Sequence, residues 1–114
     1  MCLITNQREP YIAKTDIVVY KLVTKGTSDN KYISLYEKYP YELNKVYEEI
    51  DNLQENSTNT FGKGWFHSFR TLIAALLVQN NTTIVIGIIP KGTPYYLGMY
   101  SDICSKKIKL IREL

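Results

Sequence analysis

The residues able to hold or transform a ligand are few in this chain. His67 is the only histidine, and Ser68 follows it within the segment Trp65-Phe66-His67-Ser68-Phe69. That segment reads as a short strand giving way to a helix. The first N–H groups of a helix point out unpaired and favour an anion, so Ser68 either caps the helix or helps to hold a ligand. Capping is the plainer role. An imidazole beside such a site can contact a ligand or serve as a general base near neutral pH, although a lone histidine more often has a structural duty. Lys91 lies in Pro90-Lys91-Gly92-Thr93-Pro94, as a solvated turn cation or as a phosphate contact at a pocket rim. Tyr95 and Tyr96 follow it. Tyr20 and Lys21 sit inside an apolar run, where a lysine must reach outward or face a cleft with a partner.

Other chemistries have nothing to rest on. There is no Ser-His-Asp order, paired-carboxylate spacing, phosphate-binding glycine loop or dinucleotide fingerprint. Cys2 and Cys104 are the only cysteines, too few for a disulfide framework. With His67 they make three potential zinc ligands, but no Cys-x-x-Cys or His-x-x-x-His spacing supports a site, so no metal is expected.

The elements that position these residues follow from periodicity and turn chemistry. Residues 1–12 read as an irregular arm lying on the body. Residues 15–24 are β-branched and almost continuously apolar, as in a strand buried on both faces. A turn at 25–30 leads into a second strand at 31–37, which makes a hairpin. In 42–53, Leu43, Val46, Tyr47 and Ile50 have helical spacing, which favours a helix over a short strand. Residues 54–61 read as a polar loop. After the strand at 65–69, Phe69, Leu72, Ile73, Leu76 and Leu77 form the expected buried face of a helix over 70–79. Strands follow at 82–89 and 95–100, with a loop at 101–105. Residues 106–114 alternate, placing Ile108, Leu110 and Arg112 opposite Lys107, Lys109, Ile111 and Glu113. The class is α+β: a single small domain over 1–114 with a mainly antiparallel, bent sheet and one or two packed helices.

The bulk properties agree with one soluble domain. The chain has 114 residues, 45% of them hydrophobic, and a net charge of +3, with an isoelectric point near 8.8. That balance is well short of the dense basic surface that phosphate neutralisation requires, so nucleic acid is not indicated. No apolar run approaches the roughly 18 to 20 residues of a membrane span, and no leader pattern opens the chain. A cytoplasmic protein is expected. The ten tyrosines cluster at Tyr32, Tyr36, Tyr39, Tyr41 and Tyr47 and again at Tyr95, Tyr96 and Tyr100, a composition suited to half-buried sheets, interfaces and stacking surfaces.

Three segments in this order resemble the small ADP-ribosyltransferase-like fold: VYKLV in the first strand, WFHSFRTLIAAL at a strand-to-helix junction, and IIPKGTPYYLG before the closing KKIKLIREL. The opening Met-Cys-Leu-x-Thr-Asn-Gln is similar to the start of small proteins of phages and gut bacteria. The first resemblance implies that Tyr20 and Lys21 stand for a Tyr-Arg or Tyr-His motif and Ser68 for the motif serine. Glu113 is the acidic residue nearest the place of the catalytic glutamate. Lys21 departs from the usual Arg or His, so the resemblance implies binding without chemistry. The expected function is capture of a nucleotide-derived small molecule, ADP-ribose-like or a cyclic nucleotide, by a phage-type protein in the host cytoplasm that blunts a bacterial defence signal, with no cofactor. Its ligand would meet Tyr20, Lys21, His67, Ser68, Lys91, Tyr95 and Tyr96 in one cavity. Two alternatives stand beside it: an ADP-ribosyltransferase using NAD through Glu113, and an interaction module whose Tyr32 to Tyr47 surface meets a protein partner or a second copy.

Overall fold

A computed structural model of the chain describes residues 3–4, 7–26, 31–34, 40–49, 55–57, 60–61 and 65–114. In chain order the strands are β1 (Leu3–Ile4), β2 (Tyr11–Ile12), β3 (Ile17–Lys25), β4 (Lys31–Ser34), β5 (Pro40–Glu42), β6 (Val46–Glu48), β7 (Glu55–Ser57), β8 (Thr60–Phe61) and β9 (Phe66–Phe69). The helix α1 (Leu72–Val78) follows, then β10 (Thr83–Ile89), β11 (Pro94–Leu97), β12 (Asp102–Ser105) and β13 (Lys107–Glu113). Ten strands form one open antiparallel sheet in the order β2-β11-β12-β9-β3-β10-β13-β6, with β4 and β5 branching from β3. A second sheet joins β1, β8 and β7. With one short helix among the described residues, the fold is mainly β, richer in strand than the expected α+β class.

The β-branched runs make the centre. β3 pairs with β10 along seven residues, from Ile17↔Ile89 to Val23↔Thr83, and β10 pairs in turn with β13. Val19, Val23, Val85, Ile89, Ile108 and Leu110 are all fully buried on one face, together with Phe66, Ile103, Tyr32 and Tyr41. Because β5, β9 and β12 bring residues to the same cluster as β13, the sheet must bend around it. Each fully buried Val or Leu contributes roughly 1.5–3 kcal/mol of transfer free energy. On the opposite face Leu22, Phe69 and Ile84 pack against Ala75 of α1. From Tyr20 to Val23 β3 is therefore covered on both sides, which is why its run is continuous there rather than alternating.

Several expected elements are present: the hairpin of β3 and β4, the strand of 65–69, the strands of 82–89 and 95–100 in shortened form, and the closing strand. In β13 Ile108 and Leu110 are buried at 0% exposure, while Lys107 and Lys109 are half-exposed. Other expectations are corrected. The described part of 42–53 holds no helix. Asn44 adopts a left-handed φ of 63°, its N–H bonds the Leu110 carbonyl at 2.7 Å, and β6 then pairs with β13 through Tyr47↔Ile108. The outer edge of β13 needs a partner, and that tertiary demand outweighs the helical spacing. The expected loop at 101–105 is the wholly buried strand β12, held between β9 and β11. The expected polar loop 54–61 contains β7 and β8, paired with each other. The irregular arm includes β1 and β2, and Gln7 ties it to the body through Tyr95 O and Leu97 N at 3.1 and 3.0 Å.

The helix also differs. Its N-cap is Thr71, in extended conformation, whose Oγ1 accepts the Ala74 N–H at 3.2 Å; Ser68 lies inside β9 and caps nothing. Only Ala75 is buried. Ile73, Leu76 and Leu77, expected inside, are exposed. A seven-residue helix that is apolar all round does not mark its own buried side, and the small alanine permits the closest approach to the sheet. Cys2, Tyr36, Tyr39, the turn at 27–30, Ile50 and the glycines Gly62 and Gly64 lie outside the described residues.

Candidate functional site

The titratable residues gather on β9 and β12. The register Cys104↔His67 and Asp102↔Phe69, with side chains alternating along each strand, puts His67, Phe69, Asp102 and Cys104 on one face. Phe66, Ser68, Ile103 and Ser105 occupy the other. His67 Nε2 lies 3.2 Å from Asp102 Oδ2, with side-chain exposures of 17% and 8%. Asp102 also shapes the tight turn before it: Oδ1 accepts the Tyr100 N–H at 3.2 Å, its carbonyl accepts the Gly98 N–H at 2.8 Å, and Ser101 has a φ of 59°.

Lys21 approaches from the core side. Its neighbours Tyr20 and Val23 belong to different pairings, for Tyr20 is opposite Phe69 of β9 while Val23 is opposite Ser34 of β4. At this fork the two strands part, and the buried Lys21 ammonium donates to the His67 carbonyl at 2.6 Å. It also stands 5.4 Å from the Tyr41 ring centroid. A carbonyl that loses its strand partner must find another donor, and an ammonium needs partners when it leaves water.

The electrostatics follow from burial. Burial lowers the His67 pKa below 6.5 and the Lys21 charge lowers it further, against the raising effect of the Asp102 hydrogen bond. The imidazole is therefore neutral at neutral pH and can donate Nε2–H to the carboxylate. Burial raises the Asp102 pKa, but the His67 hydrogen bond and two backbone N–H groups more than offset this and hold it below 3.8. Burial pushes the Cys104 thiol up to about 12, with Lys21 opposing and Asp102 reinforcing. Cysteine, histidine and aspartate thus adjoin in the manner of a nucleophile, base and orienting acid, yet the thiol is buried and protonated. A reactive cysteine needs the reverse, a depressed pKa and access. Among the described residues no group of His, Cys, Asp or Glu could hold a metal ion.

The expected ligand-binding residues do not line one cavity. His67 and Tyr96 share a face, where Tyr96 is buried against Cys104 and against Trp65, with ring centroids 5.5 Å apart. Tyr20 packs by Phe69 and Leu22. Ser68 is fully buried toward the core, with no hydrogen-bond partner for its Oγ. Lys91 stands past the end of β10, where its N–H donates to Asp16 Oδ1 at 2.8 Å. Lys21 pairs with Val85, four residues back from the Ile89 end, or roughly 13 Å along the strand at about 3.3 Å per residue. Packed side chains lie between. Glu113, the residue implied for catalysis, is engaged by Lys25 at 3.2 Å and by the Tyr32 hydroxyl at 3.2 Å.

Tyr95 lines an open groove, formed with Tyr11, Ile12, Lys14, Thr15 and Ile17 and about 520 Å³ in volume. Tyr11 faces Tyr95 across the β2–β11 pair, and the rings meet edge-to-face at 5.7 Å. The Lys91 turn adjoins this groove through Ala13, which accepts the Gly92 N–H at 2.8 Å and donates to Thr93 O at 3.0 Å. Gly92 has a φ of 86°, the left-handed conformation that glycine adopts without strain. Sequence reasoning missed Tyr11, Lys14 and Thr15 because they fell in or beside the assumed arm. The available signal was the pair of Pro-Tyr steps, Pro10-Tyr11 and Pro94-Tyr95, each opening a short strand. Asp102 was missed, and Cys104 was weighed only as a zinc ligand, because only the β9–β12 register brings them to His67.

The tyrosine surface expected at Tyr32 to Tyr47 is internal where it is described. Tyr32 and Tyr41 are 5% and 2% exposed, and Tyr47 is half-buried, its hydroxyl accepting the Glu42 N–H at 2.8 Å. No helix among the described residues is long and apolar enough to cross a membrane. Compared with protein-family models, curated proteins and solved structures, the chain matches none.

Proposed function

We propose that this protein binds a nucleotide-derived small molecule, ADP-ribose-like or a cyclic nucleotide, without chemistry, and that the ligand lies in the groove between β2 and β11. One observation carries this reading: a groove of about 520 Å³ is lined by two tyrosines together with Lys14. Its volume falls within the roughly 300–1,000 Å³ usual for small-molecule sites. A base stacks on the exposed Tyr11 or on Tyr95, a contact worth roughly 1–3 kcal/mol, and Lys14 meets the phosphate. Ile12 and Ile17 supply apolar walls. The His67–Asp102 pair is a poorer place for a phosphate, because the buried carboxylate would repel it. Binding without catalysis agrees with the protonated, buried state of Cys104 and with the engagement of Glu113 by Lys25 and Tyr32. The protein then acts by sequestration, the role expected of the phage-type proteins that its first residues resemble.

Calorimetry with ADP-ribose, NAD, AMP and cyclic nucleotides tests the reading. At least one should bind, and a ligand at 100 times its dissociation constant should stabilise the fold by about 2.7 kcal/mol. Tyr11→Ala and Lys14→Gln should each weaken that binding roughly five- to hundredfold. The reading is abandoned if none of these ligands binds, and the groove is abandoned if His67→Gln abolishes binding while Tyr11→Ala leaves it intact.

A further inference from the structure

We propose that the outer face of the main sheet, beside α1, docks an acidic amphipathic helix of a protein partner. Register builds this face. Val19, Val85, Ile89, Ile108 and Leu110 point into the core, so their neighbours Val18, Ile86, Ile88 and Lys109 point the other way. Val18, Ile88, Lys109 and Val46 are direct partners in one row across β3, β10, β13 and β6, and Tyr20, Ile86 and Arg112 form the next row. Val18 lies on a central strand and is nonetheless 52% exposed, while Ile86 and Ile88 are half-buried.

A bulge gives the face its charge. Plain alternation would put Arg112 on the core side with Ile108 and Leu110, but the β10–β13 register shifts between Ile86 and Gly87 and leaves Ile111 as the extra residue. Arg112 is thereby turned to the outer face with Lys107 and Lys109, and Glu113 to the inner one, where Lys25 and Tyr32 hold it. The side chains of Lys109 and Arg112 form no ion pair among the described residues. Of the acidic neighbours, Glu48 stands 3.9 Å from Lys107, and Asp16 is engaged by the Lys91 N–H.

Charge and shape select the occupant. Ile86 and Ile88 run parallel to the cationic line of β13, which spans about 16 Å from Lys107 to Arg112 at about 3.3 Å per residue, the length of roughly eleven helical residues. The apolar stripe of a helix fits the first line and an acidic flank fits the second. α1 packs over β3 and β9, and the boundary between β10 and β13 lies two strands away, roughly 9.5 Å, within the 8–10 Å or so that separates packed helices. A flat bilayer would meet α1 before it reached Val18 or Ile88. A single nucleic-acid strand would find aliphatic side chains where stacking needs rings, since Tyr20 packs against the cluster under α1. The face contains none of the groove residues, so it stands or falls apart from ligand binding.

A yeast-display library of amphipathic helices of about 18 residues, with the positions beside the apolar stripe varied among Glu, Gln and Lys, tests the docking on the full chain. Glu-flanked helices should be enriched. Their dissociation constants should rise roughly a hundredfold with Lys109→Glu and Arg112→Glu together, and roughly thirtyfold with Val18→Glu. Lys45→Glu should change them by no more than about threefold, because that ammonium lies away from this face, over the Tyr47 ring. Lys109→Gln with Arg112→Gln should give a smaller loss in the same direction, which keeps the test decisive if circular dichroism shows the charge reversal to be unfolded. The proposal is overturned if no Glu-flanked helix is enriched, or if enriched helices bind the charge-reversed chain as tightly as the native one. It is overturned equally if oligo-dT or phosphatidylserine vesicles, and no helix, bind through Lys109 and Arg112.

Discussion

Raising the pH above 9 should destabilise this protein through Cys104, by an amount that its burial fixes. The thiol sits between Tyr96 and Trp65 at 3% exposure, and burial moves its pKa from 9.0 to about 12. Between those two values the unfolded chain releases the thiol proton and the native chain keeps it, so stability falls as pH rises. The contribution is intact below pH 9 and is lost progressively from there toward pH 12. At pH 10 the unfolded state gains a factor of roughly ten or more from ionisation, worth on the order of 1–2 kcal/mol, and the loss roughly doubles by pH 11. These figures depend little on where the native value lies, provided that it stays well above the working pH. Urea unfolding of the native sequence and of Cys104→Ala at pH 8 and pH 10 isolates the effect, since tyrosines and lysines titrate alike in both. The native sequence should lose on the order of 1–2 kcal/mol more than the variant over that interval. Equal losses would refute the reasoning, because they would mean that the native thiol ionises near its ordinary value and therefore meets water.

Three further outcomes follow from the same cluster and its surroundings. On the acid side the sign reverses: His67 resists protonation in the fold, so stability present above pH 6.5 should decline as pH falls below it, with a second decline below 3.8 from Asp102. Urea melts should lose the first decline in His67→Gln, and the imidazole resonances should titrate below 6.5. Lys21→Ala should cost about 2–4 kcal/mol by leaving a cavity and an unpaired His67 carbonyl, while Lys21→Met, which refills the space and removes a buried charge, should recover at least half of that. Gly87→Ala should cost about 1–3 kcal/mol in the same assay, because the new Cβ would lie 3.1 Å from Leu110 Cδ2 and 3.3 Å from Lys109 O; an unchanged midpoint would show that β10 and β13 part more freely than their packing implies.

What the chain alone determined is what local chemistry can encode. The β-branched runs of β3 and β10, the alternation of Ile108 and Leu110 with Lys107 and Lys109, the glycine turn after Pro90 and the short helix after Phe69 each follow from neighbours within a few residues. Everything that depended on pairing between distant segments was decided by the tertiary structure. Asp102-Ile103-Cys104-Ser105 has no periodicity that says strand, and it became one because β9 and β11 each needed a partner. Leu43, Val46 and Tyr47 had helical spacing, but the open edge of β13 drew 46–48 into the sheet instead. The site divided for the same reason. His67 and Lys91 were prominent by residue type, yet only the register could show that His67 meets Asp102 and Cys104, that Lys21 closes a fork in the sheet, and that Tyr95 faces Tyr11 across a groove. Residue types announce chemistry, but a sheet joins positions far apart in the chain, and long-range strand pairing is the one relation that local sequence does not record.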